Sequence, residues 1–257
     1  MKETMKLAEW ERGLRVESRA RPDLFAFLWF YEWHLFDAVL KGEHTGGTCN
    51  WPWHVAEDST AAHMDAGWLK LRAGAVANGA RLALEITNDT AHDWPAIAAI
   101  IPCFNPGDPK QPSVRNPLFL DEAHTHTYFR AENGLELIKG AKFPRELHFN
   151  HEYRTAAMAW DKERADGRFV FDEKWPTSER DAYAGIMIRE SRDNRYVMGI
   201  AWNAFLSVQG HNPWNCMHLS VRVGPLAKGE TNRIRGKLYL LEGSKEDCLA
   251  AFESDFR

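Results

Sequence analysis

The stretch from Trp68 to Thr87 constrains the fold more than any other. In Trp68-Leu69-Lys70-Leu71-Arg72 apolar and basic residues alternate, and Arg81-Leu82-Ala83-Leu84-Glu85-Ile86-Thr87 repeats the alternation, with Asn78-Gly79 between the two runs. Side chains two apart on a strand share a face, and Asn-Gly supplies the positive φ angles of a tight hairpin. The pattern predicts antiparallel strands at 68–73 and 81–87 with Leu82, Leu84 and Ile86 turned to a core.

The same signals recur. His124 to Arg130, a turn at Asn133-Gly134 and Leu135 to Lys139 predict a second hairpin. Tyr183–Arg189 and Tyr196–Trp202 predict a third across Ser191-Arg192-Asp193-Asn194. Further strands are expected at Ala96–Phe104, which Pro102 ends or bulges, and at Ala204–Gln209, Met217–Val223 and Asn232–Leu241. Leu24 to Phe36 is rich in aromatic residues, which favours a strand; a helix from Asp23 to Gly42 is the alternative, because a short apolar run does not reveal its period. Residues 2 to about 20 read as a polar helix or an irregular arm broken by Pro22. Near the end, Ser244 and Asp247 have capping-box spacing, so a helix is expected from Lys245 to Glu253 with Leu249 and Phe252 facing the body. Many strands, little helix and no βαβ alternation predict a mainly β chain, an antiparallel β-sandwich with a short C-terminal helix. It is read as one domain over 1–257 with an N-terminal arm to about residue 23.

Composition limits the function classes. The chain has 257 residues, enough for one large all-β unit with a sizeable core. At 44% hydrophobic and 26% charged, with a mean hydropathy of -0.47, it is not a disordered composition. The formal net charge is -4 and no basic block occurs, so neither nucleic acid nor an anionic membrane surface is an expected partner. The first 23 residues are charged throughout and lack a signal-peptide core, and Leu24 to Leu40 is interrupted by Glu32, His34 and Asp37; a cytoplasmic location is expected.

Cys49, Cys103, Cys216 and Cys248 are widely spaced, with no C-x-x-C pair. Four reduced, mostly buried thiols are expected, with no tightly bound structural zinc and no cofactor. No P-loop, G-x-G-x-x-G, H-E-x-x-H, G-x-S-x-G or EF-hand loop is present.

What stands out is 11 Trp and 11 His. Indole rings suit the apolar face of a sugar but equally suit a core, and roughly two thirds are expected to be structural. Four clusters could carry chemistry. His124-Thr125-His126-Thr127-Tyr128 would, on a strand, project two imidazoles and a phenol from one face at about 7 Å per step, suiting acid–base work or metal ligation; ordinary hydrogen bonding on a solvated face is the alternative. Trp202 to His218 places His211, Asn212 and Trp214 on a loop after Gly210, which is either functional or a plain hairpin turn. Glu32-Trp33-His34 with His44, Trp51, Trp53, His54 and His63 sets a carboxylate and imidazoles among indoles; the alternative is a Glu–His pair tying loop to sheet. In Leu147-His148-Phe149-Asn150-His151-Glu152-Tyr153, a strand would turn His148 and His151 opposite ways, which argues against a joint role.

The closing segment adds a resemblance. Tyr196-Val197-Met198-Gly199-Ile200-Ala201-Trp202, Gly210-His211-Asn212, Cys216-Met217-His218, and Pro225 to Glu230 leading into Arg235-Gly236-Lys237-Leu238-Tyr239-Leu240 resemble the last strands of uncharacterised bacterial β-sandwich proteins that accompany sugar-degrading enzymes. The final stretch is similar to the end of galactose-mutarotase-like supersandwich domains. The resemblance covers about a quarter of the chain. It implies a supersandwich-like fold and a carbohydrate substrate, and it assigns no catalytic residue.

The reading that follows is an enzyme acting on a sugar or sugar acid by His/Tyr/Glu acid–base chemistry, as lyase, epimerase or glycosidase. Glu32, His34, His54, His126 and His211 are expected to line one cleft, with His211 the leading proton-transfer group, Trp53 and Trp202 as walls and Tyr128 on the substrate. Glu32 is one candidate for a glycosidase carboxylate. A non-catalytic carbohydrate-binding or assembly module is the alternative, a metal enzyme of cupin-like logic a third class. A homo-oligomer is compatible with the sequence.

Overall fold

The computed structural model describes residues 5–11, 13–34, 51–96, 98–108, 110–111, 114–138, 146–154, 177–211 and 215–257, with backbone alone at 31–34 and 211. Sixteen strands are formed among them: β1 Met5–Trp10, β2 Gly13–Ser18, β3 Phe25–His34, β4 His54–Val55, β5 Ala61–Asp65, β6 Leu69–Val76, β7 Gly79–Thr87, β8 Ala99–Asn105, β9 Thr127–Ala131, β10 Gly134–Leu137, β11 His148–Phe149, β12 Ile186–Glu190, β13 Tyr196–Trp202, β14 Phe205–His211, β15 Cys216–Arg222 and β16 Thr231–Glu242. A helix, α1, spans Lys245–Asp255. The strands form a seven-stranded sheet in the order β1-β2-β3-β8-β15-β14-β11 and a nine-stranded sheet in the order β10-β9-β12-β13-β16-β7-β6-β5-β4. Every pairing within the named strands is antiparallel.

The alternation read from the sequence sets the layers. Leu69 and Leu71 on β6 and Leu82, Leu84 and Ile86 on β7 are buried in a core shared with Leu14, Val16, Leu28, Phe104, Leu219 and Val221 of the seven-stranded sheet. β6 and β7 join through Ala77-Asn78, and Gly79 pairs with Val76 at φ 138°. A Cβ there would lie 1.8 Å from the Leu238 carbonyl oxygen, so only glycine fits where β7 meets β16. On β12 and β13 the alternate residues Ile186, Ile188, Val197 and Ala201 face the other way and pack with Tyr239 under α1, against Leu249 and Phe252. The capping box holds: Ser244 Oγ accepts from the Asp247 N–H, and Asp247 Oδ2 accepts from the Ser244 N–H at 2.9 Å.

Two expectations are corrected. Residues 5–18 are a strand hairpin at the edge of the seven-stranded sheet, not a helix or an irregular arm. Met5, Leu7, Leu14 and Val16 face the core, while Lys6 and Arg15 meet Glu17 on the opposite face. His124, His126 and Tyr128 do not share one strand face either. β9 starts only at Thr127, and His124 sits at φ 53°, which turns its ring inward. The β3–β8 register shifts between Trp29 and Trp33, opposite Cys103 and Ile101. Pro102 lies at that point and has no N–H to give the ladder, so the irregularity expected there is taken up by β3 while β8 runs on to Asn105.

Candidate functional site

Two regions of the molecule gather reactive side chains. The first is an open cleft of about 390 Å³ at the end of the sandwich where β13 leaves one sheet and β14 enters the other. The chain crosses itself here: Asn150 bridges Ala182, and the His151 N–H donates to the Ala182 carbonyl at 3.1 Å. That crossing brings His151 beside Asp181, with Nδ1 to Oδ2 at 2.9 Å, and Arg154 also binds Asp181. The His151 ring stacks on Tyr183, with centroids 4.6 Å apart and planes 18° apart. Tyr183 is 42% exposed. Burial first, then the charges of Glu132 and Asp181, raise its phenol above the usual tyrosine value. Below, the Arg222 guanidinium lies over the Tyr153 ring. Burial lowers its pKa against the opposing pull of Glu152. An imidazole oriented by a carboxylate, with its second nitrogen turned away from that carboxylate, is arranged to move a proton.

The second region is the face of the seven-stranded sheet turned away from the core. Gln209, His218, Cys103 and Trp29 stand directly opposite one another across β14, β15, β8 and β3. Trp29 stacks on Trp10, with centroids 5.3 Å apart and planes 7° apart. Gly13 makes room for that stack, since a Cβ there would lie 2.6 Å from the Trp29 ring. One step along, Cys216 lies two residues before His218 on the same face. Cys103, Cys216 and His218 are buried, and their sulfur and nitrogen donors lie within 4.8 Å of one another.

A buried polar network underlies the second region. Asp121 accepts from the N–H groups of Thr125 and His126 at 2.8 and 2.9 Å and from Thr127 Oγ1 at 2.8 Å. Arg189 is fully buried; its Nε donates to Thr127 Oγ1 at 2.7 Å, and it also reaches the Asn215 carbonyl and His124 Nδ1. The Asp121 N–H donates to Asn215 Oδ1 at 2.6 Å. Burial pushes the Asp121 carboxyl up, but Arg189 and these hydrogen bonds outweigh it and hold the group below the usual carboxylate range.

The residues singled out by sequence are dispersed. His54 lies against His63 across β4 and β5, with centroids 5.1 Å apart and planes tilted by 34°, at one end of the nine-stranded sheet. His126 precedes β9, near the other end, seven strands away in the sheet order. These two do not share a cleft. Trp53 and Trp202 are core residues, 3% and 1% exposed, and do not offer open ring faces. Trp202 lies at the floor of the open cleft. Tyr128, on β9, has its phenol raised by burial and then by Glu190, with Lys245 over its ring. His211 ends β14, paired with Cys216, rather than starting a loop; its side chain and those of Glu32 and His34 lie outside the described residues, as do His44, Asn212 and Trp214. His148 and His151 do not act together: His148 is buried against Phe129, whereas His151 lies beyond the end of β11 and is exposed. The sequence signal for this cluster is Asp181-Ala182-Tyr183, an acid two residues before the aromatic that opens the predicted strand Tyr183–Arg189.

No family model matches the chain, and no curated protein matches it. Among solved structures, it is similar to a galactose mutarotase-like protein from Lactobacillus casei at 11% identity and a TM-score of 0.39, covering 93% of this chain and 97% of that one. It is also similar to a galactose mutarotase-like protein from Clostridium acetobutylicum at 8% identity and a TM-score of 0.33, covering 93% and 66%. At these scores nothing about activity passes from those proteins to this chain. Fold and sites define a two-sheet antiparallel β-sandwich with an open His–Asp cleft and a buried thiol–imidazole face.

Proposed function

We propose that the protein is a carbohydrate-active enzyme that works by acid–base catalysis in the open cleft. The observation that carries the reading is the His151–Asp181 pair stacked against the exposed Tyr183 ring. Asp181 accepts a hydrogen bond from His151 Nδ1–H, which leaves Nε2 as the proton acceptor. The Tyr183 ring offers an apolar plane for a sugar, and Glu152, Asn150 and Arg222 supply polar groups along the same wall. The cleft volume falls in the range of small-ligand sites, and Arg222 suits a sugar acid. In this scheme His151 removes or returns a proton beside a carbonyl or carboxylate, the step shared by epimerases and lyases.

The exposed tyrosine plane also favours the non-catalytic binding module as a second reading. One experiment separates them: turnover and binding of a panel of uronic acids, aldoses and oligosaccharides by wild type and His151→Gln. The enzyme reading expects turnover to fall by about 10²-fold or more, the scale for losing a general acid or base, with binding retained. Absence of turnover by wild type across the panel, with binding intact, establishes the module instead.

A further inference from the structure

We infer that Cys103, Cys216 and His218 form a zinc site on the outward face of the seven-stranded sheet. The donors come from two adjacent strands. His218 on β15 is directly opposite Cys103 on β8, and Cys216 precedes His218 by two positions, so the three occupy the corners of a triangle on one face. Their ligand atoms lie within 4.8 Å of one another. The edges of a tetrahedral zinc site are about 3.3–3.8 Å, given zinc–sulfur and zinc–nitrogen bonds of about 2.3 and 2.0 Å. Small χ rotations close that difference.

The surroundings match what a metal needs. Asn105 Oδ1 accepts from the Gly107 N–H at 2.8 Å, which fixes the amide so that Nδ2 must face Cys103 Sγ, at 3.3 Å. A fixed N–H aimed at sulfur stabilises thiolate, the form that binds metal. Gln209 lies 3.5 Å from His218 Nδ1, and its Oε1 is buried with no hydrogen-bond partner. A half-turn of that amide brings Oε1 to accept from Nδ1–H, which satisfies the oxygen and leaves Nε2 as the zinc ligand. Cys216 follows Asn215, whose backbone is clamped by Arg189 and whose side chain is clamped by Asp121. Two thiolates and an imidazole are borderline-soft donors suited to zinc over magnesium or calcium. Three protein donors leave the fourth tetrahedral position open to water or an exogenous ligand.

The test reads metal rather than turnover, so its outcome is independent of the cleft. Protein produced with zinc supplementation and dialysed free of loose metal is measured for zinc by mass spectrometry, as wild type, Cys103→Ser, Cys216→Ser and the control Cys248→Ser. About one equivalent is expected in wild type and control and a small fraction in the other two. Cobalt substitution of the intact wild type, which needs no variant to fold, is expected to give thiolate-to-metal charge-transfer bands and intense tetrahedral d–d bands. Zinc at trace level in wild type, equal zinc in Cys103→Ser and Cys216→Ser, cobalt spectra without thiolate bands, or a Cys103–Cys216 disulfide in the purified protein would each overturn the assignment.

Discussion

Gly13 and Trp29 are complementary: the Gly13 Cα leaves only enough space for the Trp29 indole to lie flat against Trp10. A methyl group at position 13 would meet the Trp29 ring at 2.6 Å and the Leu28 carbonyl oxygen at 2.4 Å. The carbonyl belongs to a paired strand and has little freedom to retreat. Gly13→Ala is therefore expected to cost about 1–3 kcal/mol, the range for overpacking. Urea unfolding reads the loss, and near-ultraviolet circular dichroism reads the disturbed indole pair. An alanine variant of wild-type stability and spectrum would show that the stack tolerates displacement.

Asp121 and Arg189 are the charged centre of a buried network that ties β12 to Asn215, the residue before β15. Because the folded carboxyl is held below its ordinary value, its contribution to stability is fully present above the unfolded value, about 4. It is lost as pH falls through the lower folded value. Stability of the wild type is expected to drop on acidification through that window, and Asp121→Asn should flatten this part of the profile while lowering stability at pH 7. Arg189→Met leaves a buried carboxylate without its cation, which costs about 3–5 kcal/mol. The double variant should cost less than the two singles added, because each already removes the same pairing.

Much of this architecture is visible in the sequence because it depends on local periodicity. Leu82, Leu84 and Ile86 declare their face by alternation, and Ser244 and Asp247 declare a helix start by spacing. The N-terminal hairpin alternates too, with Met5 and Leu7 then Leu14 and Val16 inward, but Lys6, Arg15 and Glu17 between them give it the polarity of an arm. Only the pairing of β1 with β2 shows that Lys6 and Arg15 converge on Glu17 on the outer face. The sites are less legible for a related reason. Cys103 meets His218 because β8 pairs with β15, strands distant in sequence, and Asp181 meets His151 because two loops bridge at Asn150 and Ala182. No motif spacing encodes either meeting. Histidine and tryptophan counts pointed to chemistry but not to place, and the core claimed Trp53 and Trp202 because large indoles bury the most apolar area.

Cys248 has a different fate from the sheet thiols. It sits on the inward face of α1, fully buried against Gly199 of β13, where burial, partly opposed by Lys237, raises its thiol far above the ordinary value. Thiolate is the reactive form. Cys248 is therefore expected to resist iodoacetamide in the native protein and to be alkylated fully on unfolding, as read by peptide mass spectrometry. Lys237→Met, which removes the ion pair to Asp255 at 2.6 Å and so loosens the end of α1, should speed the native labelling of Cys248. Native labelling of wild type as fast as that of an unfolded peptide would refute the buried placement.

Tyr183 and His151 divide the work of the cleft, and substitutions should divide it too. Tyr183 is substantially exposed and contributes a ring plane, so Tyr183→Phe keeps the stack and Tyr183→Ala removes it. Stacking of this kind is worth about 0.5–1.5 kcal/mol, or roughly two- to tenfold in affinity. The alanine variant is expected to raise KM or Kd for a sugar by that factor with kcat nearly unchanged, and the phenylalanine variant to behave like wild type. His151→Gln is expected to do the reverse, lowering kcat with KM little altered, because Nε2 acts on the proton while the ring plane is supplied by its neighbour. Asp181→Asn should fall between. It keeps a hydrogen-bonding group near His151 but removes the negative charge that holds Arg154. Melting temperatures of the four variants guard against a folding explanation, since the Tyr183 and His151 side chains are both largely exposed. A Tyr183→Phe enzyme that loses kcat rather than affinity, with its fold intact, would mean that the phenol itself takes part in proton transfer and that the ring-plane assignment is wrong.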